Sequence, residues 1–220
     1  MKAKYICYSK ETYSPEEMTE RSTSHLAFMD QRRTVRDFSS KPIPDEVIKN
    51  IIMAASTAPS GAHKQPWTFC VVTNQELKKA IKEAAEKEEF ESYHKRMPED
   101  WLEDLSYLGT DWHKPFLEIA PALIIVFRRP YEIENGKKRN NYYVNESVGI
   151  ACGFLLEAIH FCGLVALTHT PSPMNFLSHI LNRPENERPF LLIPIGYPAD
   201  ETLVPDLVRK TEETVLQFYK

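Results

Sequence analysis

The chain has 220 residues, 42% hydrophobic and 26% charged, which is enough for one compact domain with a sizeable core but not clearly for two. Its 27 basic residues against 31 acidic ones leave a formal charge of −4, and this argues against a nucleic-acid partner. No long apolar run is present and the N-terminal MKAKYICYSK lacks a signal core, so no membrane span or leader is expected and the chain reads as cytoplasmic. Cys7, Cys70, Cys152 and Cys162 form no CxxC pair, and the last three sit in apolar runs, where a thiol behaves as a small buried hydrophobe rather than a metal ligand.

In chain order, Ser14-Pro15-Glu16-Glu17 carries the signature of a capping box with proline in the first turn, so a helix is predicted from there to about Asp30. It leads into Arg32-Arg33-Thr34-Val35-Arg36. A second helix follows over DEVIKNIIMAAS, with Val47, Ile48, Ile51, Ile52 and Ala55 on one stripe. TAPSGAHKQP reads as a loop of small residues and proline, and WTFCVV as a strand. From 75 to about 114 the chain is helical, charged and aromatic with little core material, so it reads as a surface excursion that could act as a lid. APALIIVF is predicted as a central strand, YEIENGKKRNN as a polar loop, and residues 146–163 as a buried helix ended by Gly163. The strand LVALTHT, the short helix NFLSHILN, the strand FLLIPIGYP and a polar tail with Arg209 complete the chain. Helices and strands interleave, so the class is α+β or α/β with a sheet covered by helices, in a single domain over 1–220.

Four clusters could carry chemistry. Arg32, Arg33 and Arg36 can grip phosphate in bidentate fashion, with Thr34 adding a hydroxyl, although such a group alone is more often a solvated basic patch. Around Ser60, Gly61 and Ala62, small side chains would let backbone N–H groups approach a flat ligand; an ordinary helix-to-strand turn explains the same residues. Thr168, His169 and Thr170 stand at a strand end, where hydroxyls can meet a cofactor; His169 invites an acid–base role or a backbone contact, and no second histidine or cysteine at ligand spacing supports a metal. Glu89 and Tyr93, four apart, share a helical face and could meet the ammonium and carboxylate of an amino acid, with Lys114 as the matching cation. Each of these charges taken singly defaults to a solvated surface position.

Taken in this order, RRTVR (32–36), TAPSGAHKQPWTF (57–69), EFESYHKRM (89–97), NGKK (135–138), IACG (150–153), THTP (168–171) and VPDLVRK (204–210) resemble the iodotyrosine deiodinases, a branch of the FMN-dependent nitroreductase superfamily. The likeness spans roughly 30–210. Its arginine and PSGAH elements are widespread in the superfamily, whereas Glu89, Tyr93 and Lys114 belong to the deiodinase lid. The resemblance implies a nitroreductase-like α+β fold with a central mixed sheet, in a homodimer with intertwined termini, the helix 146–163 and the end segments supplying interface. It implies FMN held by Arg32, Arg33, Thr34, Arg36 and Arg209, with Ser60 approaching the ring from the partner subunit. Thr168, His169 and Thr170 would line the flavin, the Thr170 hydroxyl lying near N5 as the catalytic contact. Ala62 would offer its N–H to the substrate phenolate, Glu89 would take the substrate ammonium, and Tyr93 and Lys114 its carboxylate. The animal members carry an N-terminal membrane anchor that is missing from this sequence, which implies a bacterial, soluble type. They have threonine where this chain has His169, a departure that touches only the detailed flavin contacts because Thr170 is kept.

The expected activity is reductive removal of halogen from halotyrosines, with FMN carrying the electrons and the protein supplying orientation and electrostatics. NAD(P)H or a partner reductase would be the electron source; no GxGxxG fingerprint is present. The nearest alternative is a general FMN-dependent nitroreductase or flavin reductase with an undiscriminating pocket, and a more distant one is a non-catalytic flavin or amino-acid binding module.

Overall fold

The structure is a computed structural model and describes residues 3–8 and 10–220. These separate into two compact units, divided between Arg32 and Arg33.

The first unit is built on α1 (Pro15–Asp30), which starts as the sequence predicts. Glu17 N–H donates to Ser14 Oγ at 3.2 Å while Ser14 N–H donates to Glu17 Oε2 at 2.8 Å, so two otherwise orphaned donors are satisfied reciprocally. No residue of α1 is buried.

The second unit is layered about a sheet. Its elements run α2 (Asp45–Ala55), β1 (Trp67–Val72), α3 (Gln75–Glu91), α4 (Glu99–Ser106), α5 (Phe116–Ile119), β2 (Ala122–Arg128), β3 (Tyr131–Glu134), β4 (Lys137–Asn140), α6 (Val144–Phe161), β5 (Val165–Ala166), α7 (Asn175–Ile180), β6 (Arg188–Gly196) and α8 (Glu212–Val215). The main sheet has the order β1-β2-β6-β5, with every named pair antiparallel. A parallel bridge between Thr34 and Ala166 supplies its mixed character.

Because side chains alternate along a strand, β2 feeds two cores and is buried on both faces. Ile124 and Val126 point to the side of α2 and α6, where Ile48, Ile51, Ala55, Val148, Ala151 and Leu155 pack. Leu123, Ile125 and Phe127 point to the other side, against Ile81 and Ala85 of α3, Phe116 and Leu117 of α5, and Leu177 of α7. Fully burying each of the larger side chains contributes about 1.5–3 kcal/mol, so this double layer makes the sheet a rigid platform. The α6 helix ends as predicted: Leu164 N–H donates to Ile159 O at 3.1 Å and Gly163 N–H to His160 O at 2.9 Å, with Gly163 at φ +74°.

Three expectations are corrected. The segment read as a polar loop over 131–141 is the β3–β4 hairpin, turned by Asn135 (φ 52°) and Gly136 (φ 73°); an Asn-Gly pair is the favoured two-residue hairpin turn. The charged stretch from 75 is not all surface, since Lys78, Ile81, Ala85 and Glu89 are buried at helical spacing. Cys162, read as a buried thiol, is exposed, as it caps α6 on the solvent side.

Candidate active site

The site begins with strand alternation. Beyond β5 the chain keeps its pairing with β6: His169 N–H donates to Leu192 O at 2.9 Å and Leu192 N–H to His169 O at 3.0 Å. The period of two therefore continues, leaving Thr168 and Thr170 exposed on one face and burying Leu167 and His169 on the other.

Helix α3 brings the second component. Its inward stripe of Lys78, Ile81 and Ala85 ends in Glu89, so the carboxylate is carried into the interior by the register that packs the helix. Directly after α3 the helix widens into a single π turn over Ser92–Arg96, where Met97 N–H donates to Ser92 O at 2.9 Å. Tyr93 sits in that turn and its hydroxyl donates to Thr110 O at 3.4 Å. Lys114, just before α5, is 3% exposed, and its Nζ lies 3.6 Å from Glu89 Oε2 and 5.5 Å from the Tyr93 ring centroid. Lys114 Nζ also donates to Thr110 Oγ1 at 3.2 Å and to the Asp111 carbonyl.

Burial governs the electrostatics here. It pushes the Glu89 carboxyl above the usual carboxylate range and the Lys114 ammonium below its own, in each case against the pull of the opposite charge. Burial also raises the Tyr93 phenol and lowers the half-buried Arg36 guanidinium. The His169 imidazole is pushed down to about 3 by burial and by the nearby Lys114 and Arg36 cations, so it is neutral and its 3.9 Å approach to Glu89 Oε1 is not an ion pair.

A cavity of about 200 Å³ brings Arg36, Glu89, Tyr93, Lys114, Thr168, His169 and Thr170 together. Met97, Trp101, Leu105 and Leu108 add an apolar wall that the sequence reading did not name. The signal was present: Trp101 and Leu105 are four apart on α4 within an otherwise acidic helix.

The remaining expected residues lie outside that cavity. Thr34 is held by the bridge to Ala166, beside Arg33 and ahead of Arg36 in the second unit, while Arg32 belongs to the first. Ser60 Oγ accepts from Gln65 N–H at 2.9 Å, which braces the loop rather than presenting the hydroxyl. In that loop Ala62 (φ 49°), His63 (φ 55°) and Gln65 (φ 48°) all take the left-handed region, an uncommon run for residues with side chains. Gly61 N–H donates to Ser147 Oγ at 3.3 Å, docking the loop on α6. The Ala62 N–H makes no hydrogen bond among the described residues and is available as a donor. Arg209 is exposed in the tail between β6 and α8.

The profile of the nitroreductase family matches residues 29–197. An iodotyrosine deiodinase of Haliscomenobacter hydrossis is 64% identical over 219 residues, covering 99% of both chains. The chain belongs to the nitroreductase family, in its iodotyrosine deiodinase branch. Branch members from Nematostella vectensis (48% identical, covering 95% of this chain and 80% of that protein) and Homo sapiens (43%, 96% and 74%) match over nearly the same span. The crystal structure of an oxidised iodotyrosine deiodinase bound to FMN and 3-iodo-L-tyrosine aligns with a TM-score of 0.76 at 29% identity, covering 89% of this chain and 98% of that one. The nitroreductase-like α+β fold expected from the sequence is thus confirmed. No helix among the described residues is long and apolar enough to cross a membrane.

Proposed function

We propose that the chain is an FMN-dependent enzyme that reductively removes halogen from halotyrosines such as 3-iodotyrosine, releasing tyrosine and halide. One observation carries this reading: a buried carboxylate, a buried ammonium and a half-buried phenol, all drawn from the 89–114 segment, line one cavity together with Thr168 and Thr170. An undiscriminating nitroreductase or flavin reductase has no use for such a matched set, and burying it without a zwitterionic ligand costs desolvation.

The donors present fit the flavin. Arg36 offers a half-buried guanidinium, the Thr168 and Thr170 face offers hydroxyls, and the loop at Ala62 offers a free N–H. With Arg32, Arg33, Thr34 and Arg209 they would hold the phosphate, ribityl chain and ring, and His169, whose side chain is turned to the other side, would border the ring through its backbone alone. A cavity of about 200 Å³ is below the ~300–1,000 Å³ of a cofactor-sized site, so within one chain it accommodates only the amino-acid end of the substrate. A second copy would complete the site, with Ser60 contributed across the interface. One feature supports a homodimer: α6 leaves Ile150, Phe154 and Phe161 exposed. The cell compartment proposed is the cytoplasm, with NAD(P)H or a reductase as the electron source.

Reduced FMN supplies the two electrons that, with one proton, replace the carbon–halogen bond by carbon–hydrogen and release halide. The chain's residues provide the rest. Glu89 takes the substrate ammonium while Lys114 and Tyr93 take its carboxylate, so the amino-acid end holds the outer part of the 75–114 segment, with α4, as a lid that excludes water while α3 stays packed in the core. The Ala62 N–H stabilises the phenolate, which ortho halogen makes easier to form. The Thr170 hydroxyl is the catalytic contact to the flavin ring. The test is direct: the FMN-loaded protein, chemically reduced, is mixed with 3-iodotyrosine, and iodide and tyrosine are measured. Stoichiometric release of both supports the reading; flavin that reduces nitroaromatics but leaves iodotyrosine intact selects the nitroreductase alternative.

A further inference from the structure

The His169 imidazole is the unexplained group in this site. Strand alternation turns it inward, away from the Thr168 and Thr170 face, and its side chain is 9% exposed. Phe116 packs edge-on against it, with centroids 5.7 Å apart and planes at 87°, which fixes the plane of the ring. Its Nε2 is buried and has no hydrogen-bond partner among the described residues. Glu89 Oε1 lies 3.9 Å away, about 0.7 Å beyond the usual hydrogen-bond range. The two oxygens of Glu89 are thereby divided: Oε2 faces Lys114 at 3.6 Å and Oε1 faces His169. A buried polar nitrogen left without a partner is rare enough to call for a reason.

We propose that His169 is a positioning residue for the ammonium clamp: its Nε2–H is the donor that Glu89 takes when Lys114 turns from Glu89 to the substrate carboxylate. This rests on the reading of Glu89 and Lys114 given above. At 3.6 Å, Lys114 both neutralises and orients Glu89. Once Lys114 serves the substrate, the carboxylate would be free to rotate between the ammonium and the apolar wall. A short movement toward His169 supplies a fixed second anchor. Being neutral, the imidazole carries one N–H; placing it on Nε2 gives attraction to Oε1, whereas the other tautomer would set a lone pair against the carboxylate. A neutral donor also holds Glu89 without competing with the ammonium for its charge, which a cation at this position would do.

The experiment measures affinity in the FMN-loaded protein for 3-iodotyrosine and for 2-iodophenol, its analogue lacking the whole amino-acid end and therefore leaving Lys114 on Glu89. His169→Phe keeps the ring and its edge contact with Phe116 but removes the donor; His169→Gln places an amide N–H near the Nε2 position. The phenylalanine variant is expected to bind iodotyrosine about tenfold more weakly, with the analogue changed by less than about twofold and the glutamine variant recovering most of the loss. KM for iodotyrosine should rise in parallel while kcat holds within about twofold. Should the phenylalanine variant not retain FMN, His169→Thr makes the same prediction, because its short side chain cannot reach Glu89. Unchanged affinity for iodotyrosine, equal weakening toward both ligands, or no recovery with glutamine overturns the proposal. A wild-type protein that binds iodotyrosine no tighter than the analogue removes the clamp itself, and the role of His169 with it.

Discussion

Glu89 and Lys114 face each other at 3.6 Å with side chains only 10% and 4% exposed, an opposite-charge pair in the cavity lining held away from water. Removing either partner leaves the other buried and uncompensated, which costs about 3–5 kcal/mol for a fully buried pair. Glu89→Gln and Lys114→Met should each lower the denaturation midpoint of the ligand-free protein, and the double variant should be less destabilised than the sum. Strict additivity in a double-mutant cycle would mean that the pair is not coupled. Glu89→Gln should also weaken iodotyrosine binding by about 1.5–3 kcal/mol while leaving FMN in place.

The acid limb of substrate affinity follows from the sign of one shift. Burial raises the Glu89 pKa, so as pH falls the carboxylate takes up its proton earlier than an exposed one would. Halotyrosine affinity, which needs the anion, should therefore decline at a pH above the ordinary carboxylate range. The halophenol itself titrates, so the quantity to follow is the ratio of wild-type to Glu89→Gln affinity against pH. A ratio that stays flat down to the usual carboxylate range contradicts this.

Stability should report on His169. The unfolded chain accepts a proton near 6.5, but the folded imidazole resists it until about 3. Between those values the unfolded state binds more protons, so stability rises with pH across the window and is lost as pH falls through it, by up to ~1.4 kcal/mol per unit. Denaturant titrations at about pH 7 and about pH 5 should show a larger drop for wild type than for His169→Gln. Equal slopes would place the imidazole in water.

Thr170→Ala removes the hydroxyl assigned to the flavin ring from the exposed face of the strand end. Loss of one hydrogen bond, on the order of 1 kcal/mol, should slow dehalogenation about fivefold with little change in FMN retention. Stopped-flow oxidation of the reduced protein by iodotyrosine gives the rate, and equal rates in both proteins would remove Thr170 from the chemistry.

Gly61 packs where no side chain fits: a Cβ there would lie 2.8 Å from the Tyr142 carbonyl oxygen and 3.1 Å from the Tyr143 ring. Since the nearest atom is backbone, relief requires the loop to move. Gly61→Ala should cost about 1–3 kcal/mol of stability and displace the Ala62 N–H, weakening binding of the phenolate more than of the amino-acid end. A variant with wild-type stability would show that the loop is free to shift.

Much of this site can be traced to particular residues in the sequence. The α1 capping box, the stripe of α2 and the Gly163 stop were readable because each depends on neighbours a few residues apart. Glu89 and Tyr93 were placed on one face by their spacing, but the burial of Glu89 was not legible, because the stripe of Lys78, Ile81 and Ala85 that carries it inward is masked by surrounding charge. Lys78 is buried only because its ammonium donates to the Glu118 and Ala120 carbonyls, partners forty residues away that no local pattern announces. The Asn135-Gly136 turn was a local signal that the polar flanks obscured. That His169 faces Glu89 rather than the hydroxyl face follows from its pairing with Leu192, which only the sheet register shows.

The widened turn at Ser92–Arg96 accommodates one residue more than an ordinary α turn for a similar advance along the axis. Deleting a single residue there would turn the chain that leaves it, Met97 and α4, by about 100° about the helix axis. Trp101 and Leu105 would then leave the cavity lining while the buried stripe of α3 keeps its place. This short stretch is thus a natural splice point, where evolution or an engineer can re-aim the outer wall and change which aromatic rings are admitted while the platform beneath stays the same.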